Sequence, residues 1–189
     1  MTERDADATR QRLVAAATEE FAAYGIAGAR VDRIAIAARA NKAQIYHYFG
    51  SKDGLFDAVF GSLVNAAVES EHFDALDLPG TAGHIFDDFE QRPEVGRLVL
   101  WYRLERSGDA ASIEPLVRAN EAKIRLIRDA QARGLVTDQF PAEVLLGLVI
   151  TLAAAWTSLP PEFATIEAAV PSAERRAHVA NAVARLVAP

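Results

Sequence analysis

Between residues 31 and 49 the chain carries two apolar stripes, each roughly two helical turns long. Val31, Ile34, Ala35 and Ala38 recur at the spacing of one helix face, and after Arg39-Ala40-Asn41 the pattern resumes at Ile45, Tyr48 and Phe49. Helices this short are marginal alone, so they must dock on something longer. Residues 9–24 supply it, with Leu13, Ala17, Phe21 and Tyr24 along one face, and Gly25 with Gly28 is expected to end that run. Asn41 followed by Gln44 has the form of a capping box opening the second short helix, and Gly50 closes it. Ser51 then caps a fourth helix, whose stripe is Leu55, Phe56, Val59, Phe60, Leu63 and Val64.

The rest also reads as helix. Asp77-Leu78-Pro79-Gly80 looks like a loop, with helices expected near 82–91 and 93–107 around Pro93, over 112–133, over 141–158 and over 172–187. No sustained alternation of period two marks a strand, so the fold class is all-α, with the domains expected at 1–52 and 53–189. With 51% hydrophobic residues in 189 the chain can bury a substantial core, and zero cysteines exclude disulfides and thiolate chemistry. The longest apolar run, Val144 to Leu159, is broken by Thr151, Thr157 and Ser158 and falls short of the roughly 20 residues that span a bilayer, so no membrane partner is expected. The polar start lacks an apolar signal segment, which makes the cytoplasm the expected address.

A net charge of −6 argues against a nucleic-acid partner until its distribution is followed. Residues 1–52 hold eight Lys/Arg against six Asp/Glu, a balance of +2, which leaves −8 on residues 53–189. Within 30–52, Arg30, Arg33, Arg39, Lys42 and Lys52 face a single acid, Asp32.

Two short helices joined by three residues and backed by a longer one outline a helix-turn-helix. On helical spacing Ile45, Tyr48 and Phe49 point toward the core, while Lys42, Ala43, Gln44, Tyr46 and His47 point largely outward. Phenol and imidazole can donate to phosphate oxygens, and small or amide side chains can approach base edges. Lys52, in the first turn of the next helix, adds positive charge beside N–H groups that favour anions.

The stretch "RVDRIAIAARANKAQIYHYFGSKDGLF", within residues 9–60, resembles the N-terminal DNA-binding region of the tetracycline-repressor (TetR) family of transcriptional regulators. The resemblance implies a homodimer whose recognition helices, here about 42–48, enter successive major grooves of a palindromic double-stranded DNA operator. Carried over by position, Lys42, Ala43 and Gln44 lie nearest the bases, while Tyr46, His47 and Lys52 clamp phosphates. Two positions depart from the family pattern. Arg30 stands where a Thr or Ser often opens the second helix, a poor cap but a phosphate ligand in prospect, and Arg39 replaces the usual turn glycine.

For residues 53–189 the resemblance implies a domain that binds a small-molecule effector and shifts the separation of the DNA-reading heads. Candidate lining is Phe86, Phe89, Trp101, Tyr102 and Trp156, with His84 or Arg103 as polar handles. Two apolar faces, Val144, Leu145, Leu148, Val149 and Leu152 on one helix and Val179, Val183 and Leu186 on another, are the expected dimer surface, building a four-helix bundle from two subunits. The alternative is a helical metal-binding or catalytic carboxylate bundle, to which Glu69-Ser70-Glu71-His72 offers one Glu-x-x-His. Such a site needs a second, and the chain has four histidines, one of them on the outward face of residues 42–48. No catalytic motif, cofactor or metal is therefore expected, and the expected function is a ligand-responsive DNA-binding repressor rather than an enzyme.

Overall fold

The computed structural model describes residues 3–69, 73–105 and 114–189, and all regular structure among them is helical. In chain order the α-helices are α1 (Glu3–Gly28), α2 (Val31–Ala37), α3 (Lys42–Phe49), α4 (Lys52–Glu69), α5 (Leu78–Gln91), α6 (Pro93–Glu105), α7 (Glu114–Ala132), α8 (Ala142–Ala153), α9 (Ala164–Ala169) and α10 (Ser172–Val187). Short 3₁₀ turns occupy Ala155–Ser158 and Pro161–Phe163. The chain divides into two compact units, residues 1–67 with 97–111 and residues 68–96 with 112–189. The first unit thus contains the whole 1–52 segment and adds two later stretches, 53–67 and 97–111.

In the first unit the apolar stripes converge. Leu13, Ala17 and Phe21 of α1, Ile34 of α2, Ile45 of α3 and Leu55 and Phe56 of α4 are all fully buried. Phe21 meets Phe56 edge to face at 5.2 Å, Phe56 stacks on Phe60 at 6.0 Å, and Phe60 stacks on Tyr102 of α6 at 4.3 Å. Rings this deeply packed contribute about 3–5 kcal/mol each, judged by truncation to alanine. The two short helices owe their existence to this core.

The break expected at Gly25 is present, but α1 resumes after it. Gly25 takes φ 68°, ψ 179°, and a Cβ there would lie 2.6 Å from Glu105 Oε1 and 2.8 Å from Trp101 Cε3. The N–H groups orphaned by the break are met by one carboxylate: Ile26 and Ala27 donate to Glu105 at 3.0 and 3.1 Å. The Trp101 indole N–H donates to Ala22 O at 3.4 Å alongside.

In the second unit a core of Leu78, Ala82, Phe86, Ile127, Leu145, Val149 and Val183 draws on α5, α7, α8 and α10. Ion pairs Arg176–Asp87 at 2.7 Å and Arg175–Glu90 at 2.9 Å tie α10 to α5. Two expectations are corrected. The stretch read as a loop at 77–80 is the start of α5: Asp77 caps it by accepting from the Gly80 N–H at 2.9 Å, and Pro79 sits in the first turn, where no N–H is needed. The helix expected over 141–158 stops at Ala153 and tightens into the 3₁₀ turn that follows.

Candidate nucleic-acid interface

The outward face of α3 is built from its two ends. At the start, the Gln44 N–H donates to Asn41 Oδ1 and the Asn41 N–H donates to Gln44 Oε1, each at 2.9 Å, closing a full capping box. At the end, Gly50 at φ 74° turns the chain so that Ser51 can accept from the Gly54 N–H at 2.9 Å and open α4. Ile45 is sealed in the core, and Tyr48 and Phe49 are half-buried, while Lys42, Ala43, Tyr46 and His47 are exposed. Gln44 is half-buried and its amide oxygen is occupied by the cap, so it reaches outward with its remaining amide donors.

The turn between α2 and α3 places Arg39 exposed at φ 51°, the left-handed backbone its side chain disfavours. Arg30 is exposed and stands at the N-cap of α2 without a side-chain capping bond, its N–H donating to Glu20 Oε1 at 2.8 Å. Lys52 points back toward the end of α1, donating to Ala27 O and Ala29 O at 3.3 Å each. It therefore satisfies orphan carbonyls there, with one of its three donors left over. Asp32 receives the Lys42 ammonium at 3.1–3.2 Å on the exposed side of α2 and α3.

Sequence reasoning missed the frame that holds this surface. Arg33 counts toward the local positive charge, yet its guanidinium is engaged by the buried Glu20 and lies 4.3 Å over the Tyr24 ring. Burial pushes the Glu20 carboxyl upward, but hydrogen bonds from Arg33 and the Arg30 N–H, with the charges of both arginines, hold it below its usual value. From α1, Arg12 donates to Ala38 O at 3.2 Å, and Arg10 lies 5.4 Å over the Phe49 ring. The sequence signal for Glu20 was slight, an acid next to Phe21 on an apolar stripe. The Tyr48 hydroxyl is buried without a hydrogen-bond partner among the described residues.

The other candidate residues scatter. Trp101, Tyr102 and Arg103 belong to the first unit, where Trp101 and Tyr102 pack on α1 and α4. Phe86 is buried in the core of the second unit, Phe89 is half-buried and His84 is exposed. Trp156 is set apart. It lines an open apolar groove of about 340 Å³ with Leu152, Ala155, Leu159, Phe163, His178, Val179 and Ala182. Of the expected dimer surface, Leu145, Val149, Val179 and Val183 are consumed by the chain's own core, Leu152 and Leu186 are half-buried, and Val144 and Leu148 are 48% and 36% exposed. Among the described residues no three His, Asp or Glu side chains gather as metal ligands, and no helix is long and apolar enough to cross a membrane. Ser70-Glu71-His72, of the alternative Glu-x-x-His, lies outside the described residues.

A basic, acid-poor helix presented on a rigid three-helix frame defines a helix-turn-helix DNA-binding regulator. Comparison with known proteins agrees along nearly the whole chain. Residues 13–59 match the domain "Bacterial regulatory proteins, tetR family", and residues 77–185 match "Tetracyclin repressor-like, C-terminal domain". The chain is 38% identical over 167 residues to the HTH-type transcriptional repressor SCO4008 of Streptomyces coelicolor, covering 88% of this chain and 86% of that protein. It is 30% identical over 147 residues to the HTH-type transcriptional repressor NicS of Pseudomonas putida, covering 67% and 69%. The crystal structure of SCO4942 from Streptomyces coelicolor superposes with a TM-score of 0.81 at 40% identity, covering 95% of this chain and 98% of that one. A TetR family transcription regulator from Marinobacter aquaeolei VT8 shares the fold at 20% identity, with a TM-score of 0.77 over 100% and 99% of the two chains. The protein belongs to the TetR family of bacterial transcriptional regulators. It is a DNA-binding regulator and not an enzyme.

Proposed function

We propose that the protein is a homodimeric, ligand-responsive repressor that holds a palindromic operator in the cytoplasm and releases it when a small molecule binds. The observation that carries this reading is the outward face of α3, where Lys42, Ala43, Tyr46 and His47 are exposed and no carboxylate stands on the helix itself. In this reading Lys42 and Ala43 approach base edges, with the Gln44 amide behind them, while Tyr46, His47, Arg30, Arg39 and Lys52 serve phosphates.

Dimerisation is supported by the surface that α8 and α10 leave uncovered. Val144, Gly147, Leu148 and Thr151 form an exposed, small and apolar stripe on α8, and Asn181, Ala182 and Arg185 lie exposed on α10. Paired with a second copy, the two helices make a four-helix bundle, the arrangement that sets two recognition helices one DNA turn apart. Ligand response is supported by the open groove at Trp156, whose lining is apolar except for His178. An effector there would act by favouring one separation of the two heads over another.

The test is selection of bound sequences from a random DNA pool by the purified protein at moderate salt. An enriched inverted repeat is the expected outcome. A folded protein that enriches no sequence would sink the reading.

A further inference from the structure

Asp32 is the only acid between residues 30 and 52. Its carboxylate holds the ammonium of Lys42, the first residue of α3, at 3.1 Å from Oδ1 and 3.2 Å from Oδ2, with both side chains more than half exposed. Whichever groove Lys42 enters, Asp32 enters with it. An exposed ion pair of this kind adds at most about 1 kcal/mol to folding, and an acid in the first turn of α2 adds a similar amount at the helix N-terminus. Against phosphates it is a liability. A carboxylate only accepts hydrogen bonds, and the donors a major groove offers are the N4 amine of cytosine and the N6 amine of adenine.

The companion ammonium chooses between them. A G·C pair presents guanine N7 and O6, two adjacent acceptors, and then the cytosine N4 donor beside them. An A·T pair also sets its adenine N6 donor beside an acceptor, but it leaves the ammonium one acceptor within reach where guanine offers two. We propose that Asp32 and Lys42 read one G·C pair of each operator half-site together, the Lys42 ammonium donating to guanine O6 or N7 and the Asp32 carboxylate accepting from cytosine N4. The inference rests on α3 entering the major groove. Asp32 is then a specificity residue that lowers affinity for DNA in general while raising the contrast between right and wrong sequences.

The experiment is parallel selection from the same random pool by the wild type, Asp32→Asn and Asp32→Ala, with thermal unfolding of each as a control for folding. The wild type is expected to enrich a G·C pair at one position of each half-site. Asp32→Ala should lose about tenfold discrimination at that pair alone while its affinity for unselected DNA rises, and Asp32→Asn should move the preference there toward adenine, which an amide pairs well. An inverted repeat recovered identically by all three proteins would overturn the inference and leave the DNA-reading conclusion intact. No enrichment by the wild type would remove both.

Discussion

The carboxylate of Glu20 and the guanidinium of Arg33 meet in a forked pair, with Nε 2.8 and 3.1 Å from the two oxygens and Nη2 2.5 Å from Oε1. The same carboxylate accepts the Arg30 N–H, so one buried group fixes the start of α2 against α1. Glu20→Gln keeps the shape and loses the charge, and it should cost about 2 kcal/mol of stability near pH 7. Because the carboxyl is held below its usual value in the folded protein, its contribution is complete above the ordinary carboxylate range and is lost as the pH falls through it. The wild type should therefore lose more stability than Glu20→Gln between neutral pH and acid. Parallel acid curves in urea titrations would show that the pair does not act this way.

Gly25 and Glu105 form a second joint. Gly25→Ala places a Cβ 2.6 Å from the Glu105 carboxylate, at a positive φ that alanine resists, and the change should cost about 3 kcal/mol in thermal unfolding. Glu105→Ala leaves the Ile26 and Ala27 N–H groups uncapped and should cost about 1 kcal/mol. A Gly25→Ala protein as stable as the wild type would show that the break in α1 is not required.

How much of this was legible follows from range. The capping box of Asn41 and Gln44 is written within four residues, and the stripes around Phe21, Ile45 and Phe56 within a few turns each, so the three-helix frame could be read directly. Gly25 could not. A glycine after a stripe reads as a stop, and only Glu105, far along the chain, lets the helix begin again. On α8 the apolar residues outnumber the polar ones all around the helix, so periodicity could not divide Leu145 and Val149, which face the chain's own core, from Val144 and Leu148, which do not. Asp32 stood out as the lone acid of its segment, but its partnership with Lys42 depends on how α2 and α3 cross.

Arg39 carries the cost of a glycine position. Arg39→Gly removes the left-handed strain at φ 51° and should raise stability by about 0.5–1 kcal/mol after the extra freedom of glycine in the unfolded chain is deducted. A fall in melting temperature would mean that the Arg39 side chain makes a compensating contact.

Two tyrosines two residues apart should separate cleanly. Tyr46 is exposed, and Tyr46→Phe should leave stability unchanged and weaken operator binding about fivefold, the loss of one phosphate hydrogen bond. The Tyr48 hydroxyl is buried and has no hydrogen-bond partner among the described residues, so Tyr48→Phe should be neutral or should stabilise by up to about 1 kcal/mol. Unchanged operator affinity in Tyr46→Phe would remove Tyr46 from the DNA contact.

The proposed dimer surface is tested by the residues the core does not use. Leu148 is 36% exposed and Val144 48%, on a face of α8 turned away from the core, beside Leu145, which is fully buried. A charge at Leu148 costs little in an isolated subunit, because the side chain already meets solvent, but it is costly where two copies of α8 pack. Leu148→Arg should keep the helical circular dichroism of the wild type while its sedimentation shifts from dimer to monomer. Since each head alone holds half an operator, affinity should fall by well over tenfold. Leu145→Arg, by contrast, puts an unpaired charge into the core and should unfold the chain outright. If Leu148→Arg sediments as a dimer, the two subunits meet elsewhere, and the apolar stripe Val144, Gly147, Leu148 and Thr151 needs a different explanation.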